Sequence, residues 1–224
     1  NSAVTVSEFT VFSAHLKAST GSSNENRRWE EVKQLQFYIS QQDKDFRYIL
    51  AVDLNLYSPN EQAYKLLVDS MYVDLEDPIG DWVRDDNSNV LKFTQSTRTD
   101  QIGDGGSTGG LDDRFDFILF SDHFTKTDPN LKFLENSYRV IGNDGNHFNR
   151  SVIEGSNISA PSEVIESIYY ASEHYPVVAK IQYTSKASTS PVAHAGEDRD
   201  AKIGESITLD ASKSYDPNGS ISSY

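Results

Sequence analysis

Arg47-Tyr48-Ile49-Leu50-Ala51-Val52-Asp53-Leu54-Asn55-Leu56-Tyr57 is the stretch on which the fold reading turns. Its apolar run carries β-branched and aromatic residues and reads as a buried strand that ends abruptly in an acid, one apolar residue and an amide. Asp53 and Asn55 are spaced i, i+2, so continued extended geometry would point both to the same side. An aspartate at the tip of a core strand is costly to desolvate without partners. Taken alone it would read as a cap on the next turn, so the flanking sequence has to supply those partners.

On the N-terminal side, Val4 to Lys17 alternates apolar and polar residues and predicts a strand, the second arm of a hairpin turning near Ser7-Glu8, with His15 at its apolar end. Ser19 to Asn26 reads as a loop. Arg27 to Gln42 predicts a helix with Trp29, Val32, Leu35, Gln36 and Ile39 on one face and charges opposite. Beyond the opening strand, Ser58-Pro59-Asn60-Glu61 has the form of a capping box, followed by a helix whose inner face is Ala63, Leu66, Leu67 and Ser70. Strands and helices alternate here, which points to an α/β or α+β domain rather than an all-β sandwich.

Further along, Asp74 to Asn89 is polar and irregular, and Leu91 to Thr94 predicts a short strand. Gln95 to Thr99 is hydroxyl-rich, and Gly103 to Gly110 must be a loop, with backbone suited to lie close to an anion. Phe115 to Phe120 predicts a core strand with Asp116 inside its N-terminal end and Arg114, two residues earlier, as a same-face salt-bridge partner. Asp122 to Asn149 shows no long element; Asn143 to Asn146 reads as a turn and His147 as a surface histidine. Pro161 to Ala171 predicts a helix with Val164, Ile165 and Ile168 inward. Ser172-Glu173-His174-Tyr175-Pro176 then leads into a final strand over Val177 to Tyr183. Residues 185–190 form a Ser/Thr/Ala/Lys linker. After it the sequence changes to short strands and turns, including Ala201 to Gly204 and Ile207 to Leu209.

The chain of 224 residues has 37% hydrophobic content, no cysteine and a net charge of −14. No apolar run approaches a membrane span. Absent cysteine excludes disulfides, thiolate metal sites and cysteine nucleophiles. The acidity repels polyanions at long range, so a nucleic-acid substrate would need a local basic patch or divalent cations. The chain opens at Asn1 and closes at Tyr224 after strand-like sequence, and it is expected to be a fragment or a processed product.

Collected in order, the polar residues at strand ends are His15, Asp53, Asn55, Asp116, Glu173 and His174. That set suits hydrolysis of a phosphate ester: Asp116 to orient His174, Asp53 to hold or deprotonate a water, Asn55 to position it, and His15 to meet charge on phosphoryl oxygens. Phe12-Ser13-Ala14-His15-Leu16-Lys17-Ala18, Val52-Asp53-Leu54-Asn55, Leu111-Asp112-Asp113-Arg114-Phe115-Asp116-Phe117-Ile118-Leu119 and Ser172-Glu173-His174-Tyr175-Pro176-Val177 together resemble the later motifs of the endonuclease/exonuclease/phosphatase superfamily, in order and in rough spacing. The resemblance covers residues 1–184. It implies an α+β fold, a four-layer α/β/β/α sandwich incomplete at its N-terminus, and hydrolysis dependent on Mg²⁺, with Mn²⁺ or Ca²⁺ as alternatives.

Carried over by position, the resemblance implies catalytic roles for His15, Asp53, Asn55, Asp116 and His174. Glu173 stands where the family has an aspartate that contacts metal or water. The glutamate that is the family's principal metal ligand has no counterpart in this chain, which predicts little or no hydrolysis from it alone. Thr94, Ser96, Arg98 and Arg114 are candidate phosphate contacts, with a surface ion pair as the other reading of Arg98. Residues 191–224, through Ile207-Thr208-Leu209-Asp210-Ala211-Ser212 and Tyr215-Asp216-Pro217-Asn218-Gly219, resemble the start of a PKD domain, an extracellular β-sandwich module. These resemblances imply a secreted or cell-surface, bacterial phosphoesterase, foremost a nuclease acting on DNA or RNA. Polysaccharide or protein contact would come through the tail. A phosphomonoesterase or lipid phosphodiesterase of the same superfamily, and a catalytically weakened binding or adhesion protein, are the alternatives.

Overall fold

The computed structural model describes residues 8–70, 75–128, 130–184, 191–217 and 220–221. Glu8–Tyr183 form one compact unit, and the residues from Thr184 onward belong to a second. The first unit is a mixed α/β assembly. Strand β1 (Thr10–His15) leads through helix α1 (Ser22–Ser40) into β2 (Tyr48–Asp53), which pairs with β1 in parallel. Parallel neighbours require such a crossover, and a helix supplies it here. After α2 (Gln62–Val68) come β3 (Leu75–Glu76), a 3₁₀ segment over Asn87–Lys92, and β4 (Asp116–Ser121). Strand β4 lies antiparallel to both β2 and β3, which gives the sheet order β1-β2-β4-β3.

The central strands are apolar on both faces because the sheet is covered on both. Leu50, Val52, Phe117 and Leu119 join Val32 and Ile39 of α1 and Ala63, Tyr64 and Leu67 of α2 in one core. Their alternates on the opposite face, Ile49 and Phe120, pack with Phe124, Leu131 and Phe133 in a second. Leu131 and Phe133 belong to β5 (Leu131–Phe133), which pairs with β8 (Ile181–Tyr183). The two-residue strands β6 (Arg139–Val140) and β7 (Val177–Val178) form a third, smaller ladder, and α3 spans Ser162–Ala171.

Several sequence expectations are corrected. Helix α1 starts at Ser22, inside the stretch read as a loop, because Gly21 takes φ 100° and its carbonyl accepts the Asn24 and Glu25 N–H groups. The capping box does not form: α2 begins at Gln62, and Glu61 is drawn away to the buried Arg28 and to the Tyr57 N–H, while the Ser58 hydroxyl accepts the Asn60 N–H. Leu91 and Lys92 end the 3₁₀ segment rather than start a strand, since the Asp86 carboxylate caps the Ser88 N–H and turns the chain. Val164 is exposed on α3, where Ile165 and Ile168 are buried and Tyr169 packs against the core. The final strand splits into β7 and β8, which pair with different partners, and the segment before it holds β5 and β6.

His147 is buried, 2% exposed, because Asp144 meets its Nδ1 at 2.7 Å and the Glu154 carbonyl its Nε2 at 2.9 Å. Arg114 does not pair with Asp116: its guanidinium is fully buried and forms a two-pronged bond to Asp77, 2.8 Å on each arm, with a third bond to the Gly80 carbonyl.

The turn at Ser7 and the 185–190 linker lie outside the described residues. In the tail, Val192 and Tyr215 bond reciprocally through their backbones, but Ile203 and Gly204 form a turn and Ile207 to Leu209 form no strand. Val192, Ile203, Ile207, Leu209 and Tyr215 are all exposed, so among the described residues they lack the apolar cover that regular strands need.

Two substitutions test these packing arguments. Asp77→Ala would strand the Arg114 charge in the core and remove the acceptor of the Tyr64 hydroxyl. A loss of about 3–5 kcal/mol is expected in urea unfolding, and a loss below about 1 kcal/mol would refute the pairing as a structural anchor. Asp112 is half-buried beside Asp113 and Asp85; burial and then the Asp113 charge push its carboxyl up to about 6. The fold therefore holds this proton more tightly than the unfolded chain does. Stability from Asp112 is full below pH ~4 and is lost as pH rises through ~6. Asp112→Asn should stabilise the protein at pH 7 by about 1 kcal/mol, discounted for solvent screening, and should flatten the pH 4–6 slope; unchanged curves would sink this reading.

Candidate active site

Register across three strands builds the site. His15 at the end of β1 stands opposite Asp53 at the end of β2, and Asp53 stands opposite Asp116 at the start of β4. In-register neighbours share a face, and period-2 alternation puts Asp53 on the side of Ile49 and Asp116 on the side of Phe120. The polar row is therefore the continuation of the second core, where its apolar packing gives way to solvent. His174 is brought to the row by the segment after α3, whose backbone forms an antiparallel bridge with Gln95.

The groups are in contact. His174 Nδ1 and Asp116 Oδ2 are 2.7 Å apart, and His174 Nε2 lies 3.8 Å from Asp53 Oδ2, an electrostatic neighbour rather than a hydrogen bond. His15 Nε2 is 3.4 Å from Asp53 Oδ2 with its side chain 69% exposed, so its ring is open to a ligand. The Asn55 N–H donates to Asp53 Oδ1 at 2.9 Å.

Asn55 corrects the simple i, i+2 expectation. Its φ is 49°, so the strand has ended, and its side-chain Nδ2 donates to the Leu16 carbonyl at 3.1 Å. Its role here is to fix Asp53 through the backbone and to tie the two loops leaving β1 and β2. Gln95 is a site residue that the sequence reading missed: its Nε2 lies 2.8 Å from His174 Nε2. Nothing in the local pattern marks Gln95 apart from its neighbours; the bridge to His174, 79 positions away, is what places it.

None of the four candidate phosphate contacts joins the His15–Asp53–Asp116 row. Thr94 is buried, and its Oγ1 accepts the N–H groups of Phe115 and Asp116, which sets the angle at which β4 starts. Ser96 is buried, its Oγ donating to the Ser107 carbonyl. Arg114 is bound to Asp77 in the core. Arg98 is not on the surface: it is 1% exposed, with Nη2 2.7 Å from Asp104 and 3.6 Å from Glu173. Glu173, expected at the metal, has its Oε2 3.6 Å from Arg98 Nη2 and is not among the groups whose donor atoms converge with Asp53.

The electrostatics follow from this crowding. Burial and then the Asp116 charge raise the Asp53 pKa, against the opposing pull of His174, the Asn55 N–H and His15. For His174, burial would lower the pKa, but the hydrogen bond and charge of Asp116, with Asp53 and Glu173, outweigh it and raise it. Among the described residues, Asp53, Asp116 and His174 offer donor atoms within 4.8 Å of one another. The repulsion between the two acids is of the kind a divalent ion relieves. Both His174 nitrogens are already engaged, so the remaining carboxylate oxygens are the ligands on offer, a set that suits a hard cation such as Mg²⁺ or Ca²⁺.

No family model matches the chain, and no curated protein matches it. Among solved structures it is similar to a functionally unknown conserved protein from Enterococcus faecalis V583, with TM-score 0.43 and 11% identity over 78% of this chain and 50% of that one. It is also similar to the mannosyl-6-phosphatase Bt3783 of Bacteroides thetaiotaomicron VPI-5482, with TM-score 0.39 and 17% identity over 77% and 51%. A third is truncated TDP2 of Caenorhabditis elegans, with TM-score 0.39 and 16% identity over 78% and 55%. The chain spans about half the length of these structures.

Proposed function

We propose that this chain carries the phosphate-binding side of a divalent-metal-dependent phosphoester hydrolase of the endonuclease/exonuclease/phosphatase type, with the four-layer α/β/β/α sandwich of that superfamily as its fold. The observation that carries the reading is the row His15–Asp53–Asp116 across three adjacent strands, closed by His174 bonded to Asp116.

In this reading Asp53 takes the proton of a water whose oxygen attacks phosphorus, and the bond from phosphorus to the leaving oxygen breaks. The Asn55 N–H holds the Asp53 carboxylate in place during that step. Asp116 keeps the proton of His174 on Nδ1 and fixes the ring, so that Nε2 faces the phosphoryl group once Gln95 is displaced. His15, the exposed member, meets charge on the non-bridging oxygens. A hard divalent cation on the Asp53 and Asp116 carboxylates would supply neutralisation of developing phosphoryl charge. The preferred substrate is a phosphodiester of DNA or RNA; the secreted, cell-surface setting and an adhesive role for the tail belong to the same proposal and rest on the sequence resemblance.

A second reading, a catalytically weakened binding protein, draws on the pairing of Glu173 with Arg98. Because this chain alone is expected to hydrolyse little, activity is measured on the chain joined to the metal-glutamate lobe that the resemblance implies; plasmid DNA, sphingomyelin and a simple phosphomonoester, each with Mg²⁺ and with chelator, separate the readings. Chelator-sensitive cleavage of DNA is expected. Asp53→Asn should lower kcat by about 10²–10⁴-fold, as loss of a general base does, and Asp116→Asn should lower it with KM nearly unchanged. Cleavage of the phosphomonoester alone would overturn the nuclease assignment. Full activity in Asp53→Asn would overturn the site itself.

A further inference from the structure

Arg98 is a buried cation with incomplete hydrogen bonding. It is 1% exposed, and neither Nη1 nor Nη2 has a well-directed hydrogen bond. Nη2 is close to Asp104 Oδ2, at 2.7 Å, but the contact is poorly aligned, and Glu173 at 3.6 Å is beyond hydrogen-bond range. A guanidinium kept from water in this way ordinarily binds an oxyanion through two parallel bonds. Neither carboxylate present does so.

The cover over Arg98 is the glycine loop. Gly103, Gly105, Gly109 and Gly110 all take positive φ, conformations that side chains resist, and Gly106 approaches so closely that a Cβ would lie 2.6 Å from Arg98 Nη2. Asp104 itself is half-exposed and is held by its own loop, its Oδ1 accepting the Gly106 N–H at 3.1 Å. The loop thus lays one carboxylate on the guanidinium and keeps its own bulk out of the way.

The segment that carries Arg98 borders the reaction centre. It runs antiparallel to the one that carries His174: Gln95 bridges to His174, and the Thr97 N–H donates to the Glu173 carbonyl at 3.0 Å. Arg98 in turn faces Glu173, the residue before His174.

We infer that Arg98 is the floor of a second oxyanion subsite, occupied in this structure by the Asp104 carboxylate, which a second phosphate of the substrate displaces. The preferred substrate class is a phosphate ester with another phosphate next to the one cleaved, and Asp104 sets a threshold against ligands with a single charge. Identification of the anion as a substrate phosphate rests on the phosphoesterase reading; the existence of the subsite does not.

Binding without turnover tests it. Inorganic phosphate and methylenebisphosphonate are titrated calorimetrically into the full chain, into Asp104→Asn, and into Glu135→Gln, which removes an equal charge from an exposed position after β5. Asp104→Asn should tighten bisphosphonate at least tenfold and phosphate by less, Glu135→Gln should change either by under twofold, and the Arg98 Nε–Hε resonance should shift saturably in Asp104→Asn. Equal tightening in both variants, or an Arg98 resonance unmoved by either anion, overturns the subsite while leaving the phosphoesterase reading standing. That reading fails separately, if Asp53→Asn retains full hydrolysis.

Discussion

The buried pair Arg28–Glu61 is the contact on which the geometry of the site depends. The Arg28 side chain is excluded from solvent, and its Nε and Nη2 reach Glu61 Oε2 at 2.9 and 2.8 Å. Its Nη1 donates to the carbonyls of Lys17 and Ser19, while Glu61 Oε1 accepts the Tyr57 N–H. One guanidinium therefore fixes the loop that leaves β1 just beyond His15 and, through Glu61, the loop that leaves β2 just beyond Asn55. Such a pair adds little net stability after desolvation, but each partner makes loss of the other costly. What it contributes is position.

The same device recurs. Arg114 with Asp77 anchors the chain between α2 and β4, with the Tyr64 hydroxyl donating to the same carboxylate and the Phe117 ring 4.2 Å below the guanidinium carbon. Arg98 differs in kind. Neither of its terminal nitrogens has a directed hydrogen bond, whereas Arg28 leaves one terminal nitrogen in that state and Arg114 neither, and it is carried by the segment that borders His174. Two arginines hold the scaffold, and the third retains bonding capacity next to His174.

The site is correspondingly a problem in charge. Asp53 stands between Asp116 and two histidines, so its carboxyl is raised by burial and one neighbour and lowered by others. His174 is held between Asp116 and Gln95, one on each nitrogen, which fixes the ring. Thr94, buried and apparently idle as a ligand, holds the first two N–H groups of the Phe115–Asp116 step and so aims the carboxylate on which His174 depends.

The sequence by itself determined the elements with strong period and the identity of the strand-end groups. The apolar run into Asp53, the Phe115–Phe120 strand and the α3 face at Ile165 and Ile168 are written locally, because burial selects residue types at fixed spacing. Tertiary structure alone decided which polar groups meet. His15, Asp53 and Asp116 become neighbours only through strand register, Asn55 turns its amide to Leu16 because the chain bends at φ 49°, and Gln95 acquires its role from a bridge to a distant segment. His147, Arg98 and Arg114 read as surface or ligand residues in the sequence, and Arg28 carries no reading of its own, yet all are buried. The partners of Arg28 and Arg114 lie 9 to 37 positions away, and a partner so distant leaves no mark in the pattern around the charge it buries; His147 has Asp144 three positions before it and Glu154 seven beyond.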